Sequence, residues 1–235
     1  MILVGDVHAC WADLVSRLVA AGIRDQELVQ VGDFGLGFLD ARTETRQLAL
    51  LDRHLVQTGS LLWAIRGNHD DPARWAAGAA QPWQAIRLVP DYSLITVEGR
   101  RLLCVGGALS IDRKVRSIGS YWRDEGFALS PERLARLDLS DLYAVVTHTA
   151  PEGVYPYTLG DLVYYYAYRD PHLLAELPAE RRALAALRDL VAERALPHYW
   201  CYGHFHAHMV EDVGATRFIL LDILQCYDLA RGAAL

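Results

Sequence analysis

The sequence predicts a mixed α/β protein, two facing mixed sheets with helices on their outer sides, and three observations carry that expectation. Short apolar runs rich in β-branched or aromatic residues recur along the chain, each ending in a polar cluster. An amphipathic helical period follows the first of them. Later in the chain a hairpin and further strands replace the early strand, helix, strand order.

In chain order, Ile2 to Val4 is short and wholly apolar, as a buried strand should be. Trp11, Leu14, Val15, Leu18 and Val19 then fall at i, i+3, i+4, i+7 and i+8, so a helix begins right after the first polar cluster. Leu28 to Val31 reads as the second strand, a helix is expected from about Thr43 to Gln57, and Leu61 to Ile65 is the third strand. Tyr92 to Val97 and Arg101 to Val105, joined by Glu98-Gly99-Arg100, form a hairpin pattern. Tyr143 to Val146 is another buried strand. A helix is expected from Pro178 to Arg194, where Leu184, Leu187 and Val191 share a face. Tyr199 to Tyr202 and a last strand from Arg217 to Leu221 close the pattern. No repeat, low-complexity tract or linker interrupts it, and a chain of 235 residues, 52% hydrophobic, is expected to fold as one domain over 1–235.

The polar clusters are Gly5-Asp6-Val7-His8, Gly32-Asp33, Gly67-Asn68-His69-Asp70, Thr147-His148 and Gly203-His204-Phe205-His206. Each leaves the carboxyl end of a strand, where open α/β sheets place their ligands. Asp and His are N/O ligands for Mn, Fe, Zn or Ni, and no Cys lies in a cluster to make a thiolate site. Two metals about 3.5–4 Å apart need a bridging carboxylate and roughly three further ligands each. The clusters offer seven such ligands.

The order D-x-H, G-D, G-N-H-D, H, G-H-x-H, running from Asp6 to His206, resembles the calcineurin-like metallophosphoesterase superfamily. One cluster alone would carry little weight; five in the right order are specific. The resemblance implies a four-layer αββα sandwich. It implies that Asp6, His8 and His206 hold one divalent metal, that Asn68, His148 and His204 hold the other, and that Asp33 bridges them. Mn is the first choice of metal, with Fe and Zn as alternatives. It further implies hydrolysis of a phosphomonoester or phosphodiester by in-line attack of a hydroxide shared by the metals, with His69 as general acid and Asp70 orienting its imidazole.

Within the superfamily the chain departs from the branch that carries Asp-Arg-Gly after the bridging aspartate, because it reads Asp33-Phe34-Gly35-Leu36-Gly37-Phe38. The segment Gly106-Gly107-Ala108-Leu109-Ser110-Ile111-Asp112-Arg113, with Arg116, Tyr121 and Trp122, resembles a stretch of small bacterial and phage members. Arg113 and Arg116 are candidates for fork-like contacts to a substrate phosphate, and Arg113 could equally pair with Asp112, Asp124 or Glu125. A tyrosine-dense insertion near 152–170, carrying Tyr155, Tyr157, Tyr164, Tyr165, Tyr166 and Tyr168, reads as lid, interface or self-packed loop.

Bulk properties agree with an enzyme acting on a small phosphorylated substrate. Net charge is −6 and no Lys/Arg block is present, which argues against a long nucleic-acid footprint. Two divalent ions would offset about four of those charges, so a nucleotide or a nucleic-acid end stays open as substrate, and end-processing nuclease is the alternative function. A non-catalytic scaffold on the same fold is a third class, one in which ligands or the catalytic histidine are typically lost. No apolar run reaches 18 residues and no charged-then-apolar leader precedes Ile2, so no membrane partner and a cytoplasmic location are expected. Cys10, Cys104, Cys201 and Cys226 show no C-x-x-C spacing and read as reduced thiols.

Overall fold

The computed structural model describes residues 1–77, 82–116 and 120–235. Among them the strands form two six-stranded sheets. In the first, β1 (Ile2–Val4), β2 (Glu27–Gln30), β3 (Leu61–Ala64) and β4 (Ile86–Leu88) are parallel neighbours, and β11 (Cys226–Asp228) and β12 (Ala233–Ala234) extend the β1 side antiparallel. In the second, β6 (Arg100–Val105), β7 (Leu142–Thr147), β8 (Tyr199–Tyr202) and β10 (Thr216–Leu220) are parallel. The edge strands β5 (Ser93–Val97) and β9 (Met209–Val213) pair antiparallel with β6 and β10.

Three apolar clusters fill the spaces between four layers. Leu3, Val29, Val31 and Ile65 of the first sheet meet Cys104, Val146, Cys201 and Ile219 of the second. Ile2, Val4, Leu28 and Leu62, their alternate neighbours, pack outward on α1 (Trp11–Ala20), α2 (Ala41–Gln57) and α3 (Pro72–Ala76) through Trp11, Leu14, Leu18, Leu48, Leu51, Leu55 and Trp75. Leu103, Val145, Trp200 and Phe218 do the same against α4 (Pro131–Ala135) and α6 (Leu173–Ala192). Period-two alternation with apolar residues on both faces is what a sheet covered on both sides requires. The expected αββα sandwich is formed.

Three boundaries differ from the sequence reading. Helix α2 starts at Ala41 because the Asp40 carboxylate accepts from the Thr43 N–H at 3.0 Å and caps it. Helix α6 starts at Leu173, so Pro178 lies inside it. Leu173 and Leu177 extend the buried stripe of Leu184, Leu187 and Val191 by a further turn, and the carbonyl that Pro178 leaves without a helical donor belongs to the exposed Leu174. The run from Arg217 to Leu221 is not the last strand. Cys226 and Tyr227 are buried on β11, which covers the otherwise open edge of β1.

The tyrosine-dense segment contains α5 (Asp161–Ala167), which packs on α6. Ala167 is buried, whereas Tyr157, Tyr164, Tyr165 and Tyr168 are exposed.

Candidate metal centre

Strands β1, β2 and β3 of one sheet and β7 and β8 of the other each end in one of the five clusters, and parallel pairing within each sheet brings those ends to one side. Glycine is required where backbone passes a ligand: a Cβ on Gly203 would lie 2.1 Å from Asp6 Oδ1, and one on Gly67 would lie 2.1 Å from Asp33 Oδ1. His8, Asp33, His204 and His206 have φ of 49°, 55°, 70° and 47°, a left-handed backbone that costs on the order of 1 kcal/mol each for residues with a Cβ. Such strain is held in place by the surrounding sheets and concentrates at the site.

The side chains form two groups joined at Asp33. Asp6, His8, Asp33 and His206 offer ligand atoms that all lie within 4.8 Å of one another. In this group His8 Nε2 is 3.0 Å from His206 Nε2, and His206 Nε2 is 3.3 Å from Asp6 Oδ2. In the other group Asn68 Oδ1 is 3.0 Å from both His148 Nε2 and His204 Nδ1. Asp33 turns one oxygen to each, with Oδ2 3.7 Å from His8 Nδ1 and Oδ1 3.2 Å from His148 Nε2.

Outer contacts fix these orientations. His148 Nδ1 donates to the Val31 carbonyl at 2.9 Å, which leaves Nε2 facing the centre. Asn68 Nδ2 donates to Ser110 Oγ at 2.9 Å, which turns Oδ1 inward. Asp6 accepts from the His204 N–H at 3.0 Å. Thr147, the last residue of β7, accepts from Trp200 Nε1 at 2.8 Å and donates to the Thr149 carbonyl at 2.7 Å.

Burial opposes ionisation of Asp33, but His148, His69 and His8 outweigh it and hold the carboxyl well below the usual range. Burial would lower His148, yet Asp33 raises it to about 9. Burial, with His148 next, pushes His204 well below its ordinary value. Protonated His148 thus supplies the charge that compensates Asp33, and a divalent cation on the same nitrogen would displace that proton. Acceptor-only Asn68 Oδ1 between two ring nitrogens, and two Nε2 atoms facing each other, make a donor set suited to a cation.

His69 lies beside this set. Its N–H donates to Asp33 Oδ1 at 2.7 Å, its Nε2 is 3.9 Å from Asp33 Oδ2, and Arg116 Nη2 is 2.5 Å from Nε2. Burial, partly offset by Asp33 and deepened by Arg116, brings its pKa down to about 4.

Two expectations are corrected by the geometry. Asp70 does not orient the His69 ring: its oxygens accept from the N–H groups of Phe34, Gly35, Leu36 and Gly67, and so tie the Asp33 loop to the Asn68 loop, while His69 Nδ1 is buried and has no hydrogen-bond partner among the described residues. Arg113 does not face the centre either. It pairs with Asp170 at 2.6 Å and Glu176 at 2.5 Å, because Asp170 is buried and needs a counter-charge.

Arg116 does reach the centre, held by Asp112 at 2.8 Å and Glu125 at 3.6 Å. Ser110 and Glu125 adjoin the centre, Ser110 through Asn68 and Glu125 through Arg116 rather than Arg113. Glu125 accepts from the Ser110 N–H at 2.8 Å, and nothing in its local sequence marks that contact. Cys10 donates to the His8 carbonyl at 3.6 Å. A cavity of about 700 Å³ opens in front of the centre, bounded by His8, Asp33, His69, His204 and Arg116 on one side and by the Tyr155 to Tyr166 segment on the other.

A family model described as calcineurin-like phosphoesterase matches residues 1–208. No curated protein sequence matches the chain. Among solved structures, the protein TT1561 of Thermus thermophilus is similar over 100% of this chain and 96% of its own, at 14% identity and a TM-score of 0.61. A candidate 5'-nucleotidase from Staphylococcus aureus is similar over 99% of this chain and 51% of its own, at 12% identity and a TM-score of 0.56. Both are likenesses of fold.

Proposed function

Because the chain belongs to the calcineurin-like phosphoesterase family, a family of hydrolases, we propose that it is a dinuclear metal-dependent phosphoesterase. Asp6, His8 and His206 would hold one divalent cation and Asn68, His148 and His204 the other, with Asp33 shared between them. The observation that carries this reading is the position of Asp33, with one oxygen toward each donor group. When bound, the cations supply a water acidic enough to attack phosphorus in line and neutralise the phosphoryl oxygens. Mn is the first choice, with Fe or Zn as alternatives, since ligands of this kind take all three and availability decides.

The protein's own groups do the rest. Arg116 leaves His69 Nε2 and takes the phosphoryl oxygens in a charge-assisted fork. His69 then loses a neighbouring cation and gains a neighbouring anion, both of which raise its affinity for a proton. Nε2, freed as an acceptor, takes up a proton from solvent, and as the bond from phosphorus to the leaving oxygen breaks that proton passes to the leaving oxygen. Asp70 acts one step away, by fixing the loops that carry Asp33 and Asn68.

The same reading includes one domain over 1–235, a small phosphorylated substrate and a cytoplasmic location, the last supported by four free thiols. Among the described residues no helix is long and apolar enough to cross a membrane. Hydrolysis of p-nitrophenyl phosphate and of bis-p-nitrophenyl phosphate by the Mn-loaded chain tests the activity. Turnover that is abolished by a chelator and restored by Mn is expected; turnover indifferent to the chelator would refute the metal-dependent reading.

A further inference from the structure

The apolar wall of the cavity is made by Ile111, Tyr155, Val163, Tyr166, Leu177 and Phe205, the last in ring contact with His204 at 5.0 Å. Its volume of about 700 Å³ suits one small organic molecule. The charged groups on that side are already engaged. Asp112 pairs with Arg116 at 2.8 Å. Glu180 accepts from the Leu109 and Phe127 N–H groups at 3.1 and 3.0 Å. Arg181 donates to the carbonyls of Ala150, Pro151, Val154 and Pro156. A second phosphate placed against this wall would meet carboxylates and apolar side chains, with the Arg181 guanidinium committed to backbone oxygens. An uncharged apolar group would bury its surface against the rings of Tyr155 and Tyr166 and the side chains of Val163 and Leu177.

Resting on the phosphoesterase reading, we propose that the substrate carries a single phosphoryl group and that its other part is an uncharged, mainly apolar organic group seated on the wall from Tyr155 to Tyr166. Arg116 marks the boundary between the two halves of the site: the phosphoryl end lies on its metal side and the organic group on the tyrosine side.

A series of 4-alkylphenyl phosphates, from phenyl to 4-butylphenyl, with the matching methyl diesters, tests the assignment, because the alkyl chain hardly changes the acidity of the leaving phenol. With the Mn-loaded full chain, kcat/KM is expected to rise about tenfold from phenyl to 4-butylphenyl. The Kd of the corresponding non-hydrolysable 4-alkylphenyl phosphonates, measured by calorimetry, should fall in parallel. Val163→Asp, which sets a carboxylate in the wall, is expected to bring the butyl-to-phenyl ratio down to about one, and Tyr166→Ala to lower it about threefold. A flat series with turnover retained, flat phosphonate affinities, or a preference for adenosine diphosphate over 4-butylphenyl phosphate would overturn the inference while the phosphoesterase reading stands. Loss of metal-dependent turnover for every ester would overturn both.

Discussion

Arg116 Nη2 lies 2.5 Å from Nε2 of His69. A guanidinium remains protonated and can only donate, so in this arrangement Nε2 is the acceptor and the imidazole is neutral with its proton on Nδ1. The side chain best placed to protonate a leaving group is therefore tied up until an anion draws Arg116 away. Asp112 and Glu125 keep the guanidinium beside the centre, which makes the exchange from imidazole to phosphate a short movement.

Arg116→Ala is accordingly expected to raise KM for phosphoesters by about tenfold, the value of one charge-assisted contact near 1.4 kcal/mol. Arg116→Lys should recover part of the loss, since an ammonium keeps the charge without the fork. Steady-state kinetics at saturating Mn check this, and an unchanged KM in the alanine variant would count against the role.

His69→Ala should leave metal content unchanged, because His69 is outside both donor groups, and should lower kcat by roughly 10²–10⁴ for esters with poor leaving groups. With p-nitrophenol, which leaves without a proton, the loss should shrink. Equal losses on both kinds of ester would contradict a proton-donating role.

Ser110→Ala tests the orientation of Asn68. Without the acceptor at Ser110 Oγ, the amide can rotate its NH2 toward the centre, and affinity for divalent metal should fall about 10–100-fold, as it does when an outer partner of a ligand is removed. Activity at saturating metal should largely return. Metal titration by calorimetry reads the difference.

The five clusters were legible because the signal is local: a few apolar residues, a glycine and ligands within four positions, as at Gly5-Asp6-Val7-His8. Two facing mixed sheets flanked by helices were legible in the succession of short apolar runs and the amphipathic helix at Trp11 to Val19, and the four-layer sandwich followed from the family resemblance that the clusters carry. Partners distant in sequence were hidden. Asp70 stands next to His69, yet three of the N–H groups it binds come from 34–36, a loop delivered by another strand. Arg113 finds Asp170 and Glu176, about sixty residues on, only once α6 packs. Strand β11 has three residues and is defined by its register on β1, not by its own pattern.

Arg113→Ala is expected to lower stability by about 1–2 kcal/mol, since it strips a buried carboxylate, Asp170, of its counter-charge. Kinetics toward small esters should stay the same. Urea denaturation beside a kinetic assay separates the two, and a kinetic defect without a stability loss would place Arg113 back in the site.

Glu180 gives a pH dependence. Burial raises its pKa to about 7, above the unfolded value, and the N–H groups of Phe127 and Leu109 only partly oppose this. The folded state then holds more protons than the unfolded one between about pH 4.5 and pH 7, so the Glu180 contribution to stability is full below that window and is lost as pH rises through it. Denaturation midpoints at pH 5 and pH 8 should therefore differ less in Glu180→Gln than in the unaltered chain. An identical difference in both would show that Glu180 ionises in the folded state as it does in the unfolded one.

The central claim, that Asp33 joins two cations in one working site, is tested most directly by counting metal against activity. Metal-free protein titrated with Mn, with bound ion measured by elemental analysis and turnover measured in the same samples, should reach full activity at two ions per chain. Asp33→Asn, which removes a charge and weakens one bridging contact, should bind less metal and lose most of its turnover. Full activity with a single ion per chain would contradict the account.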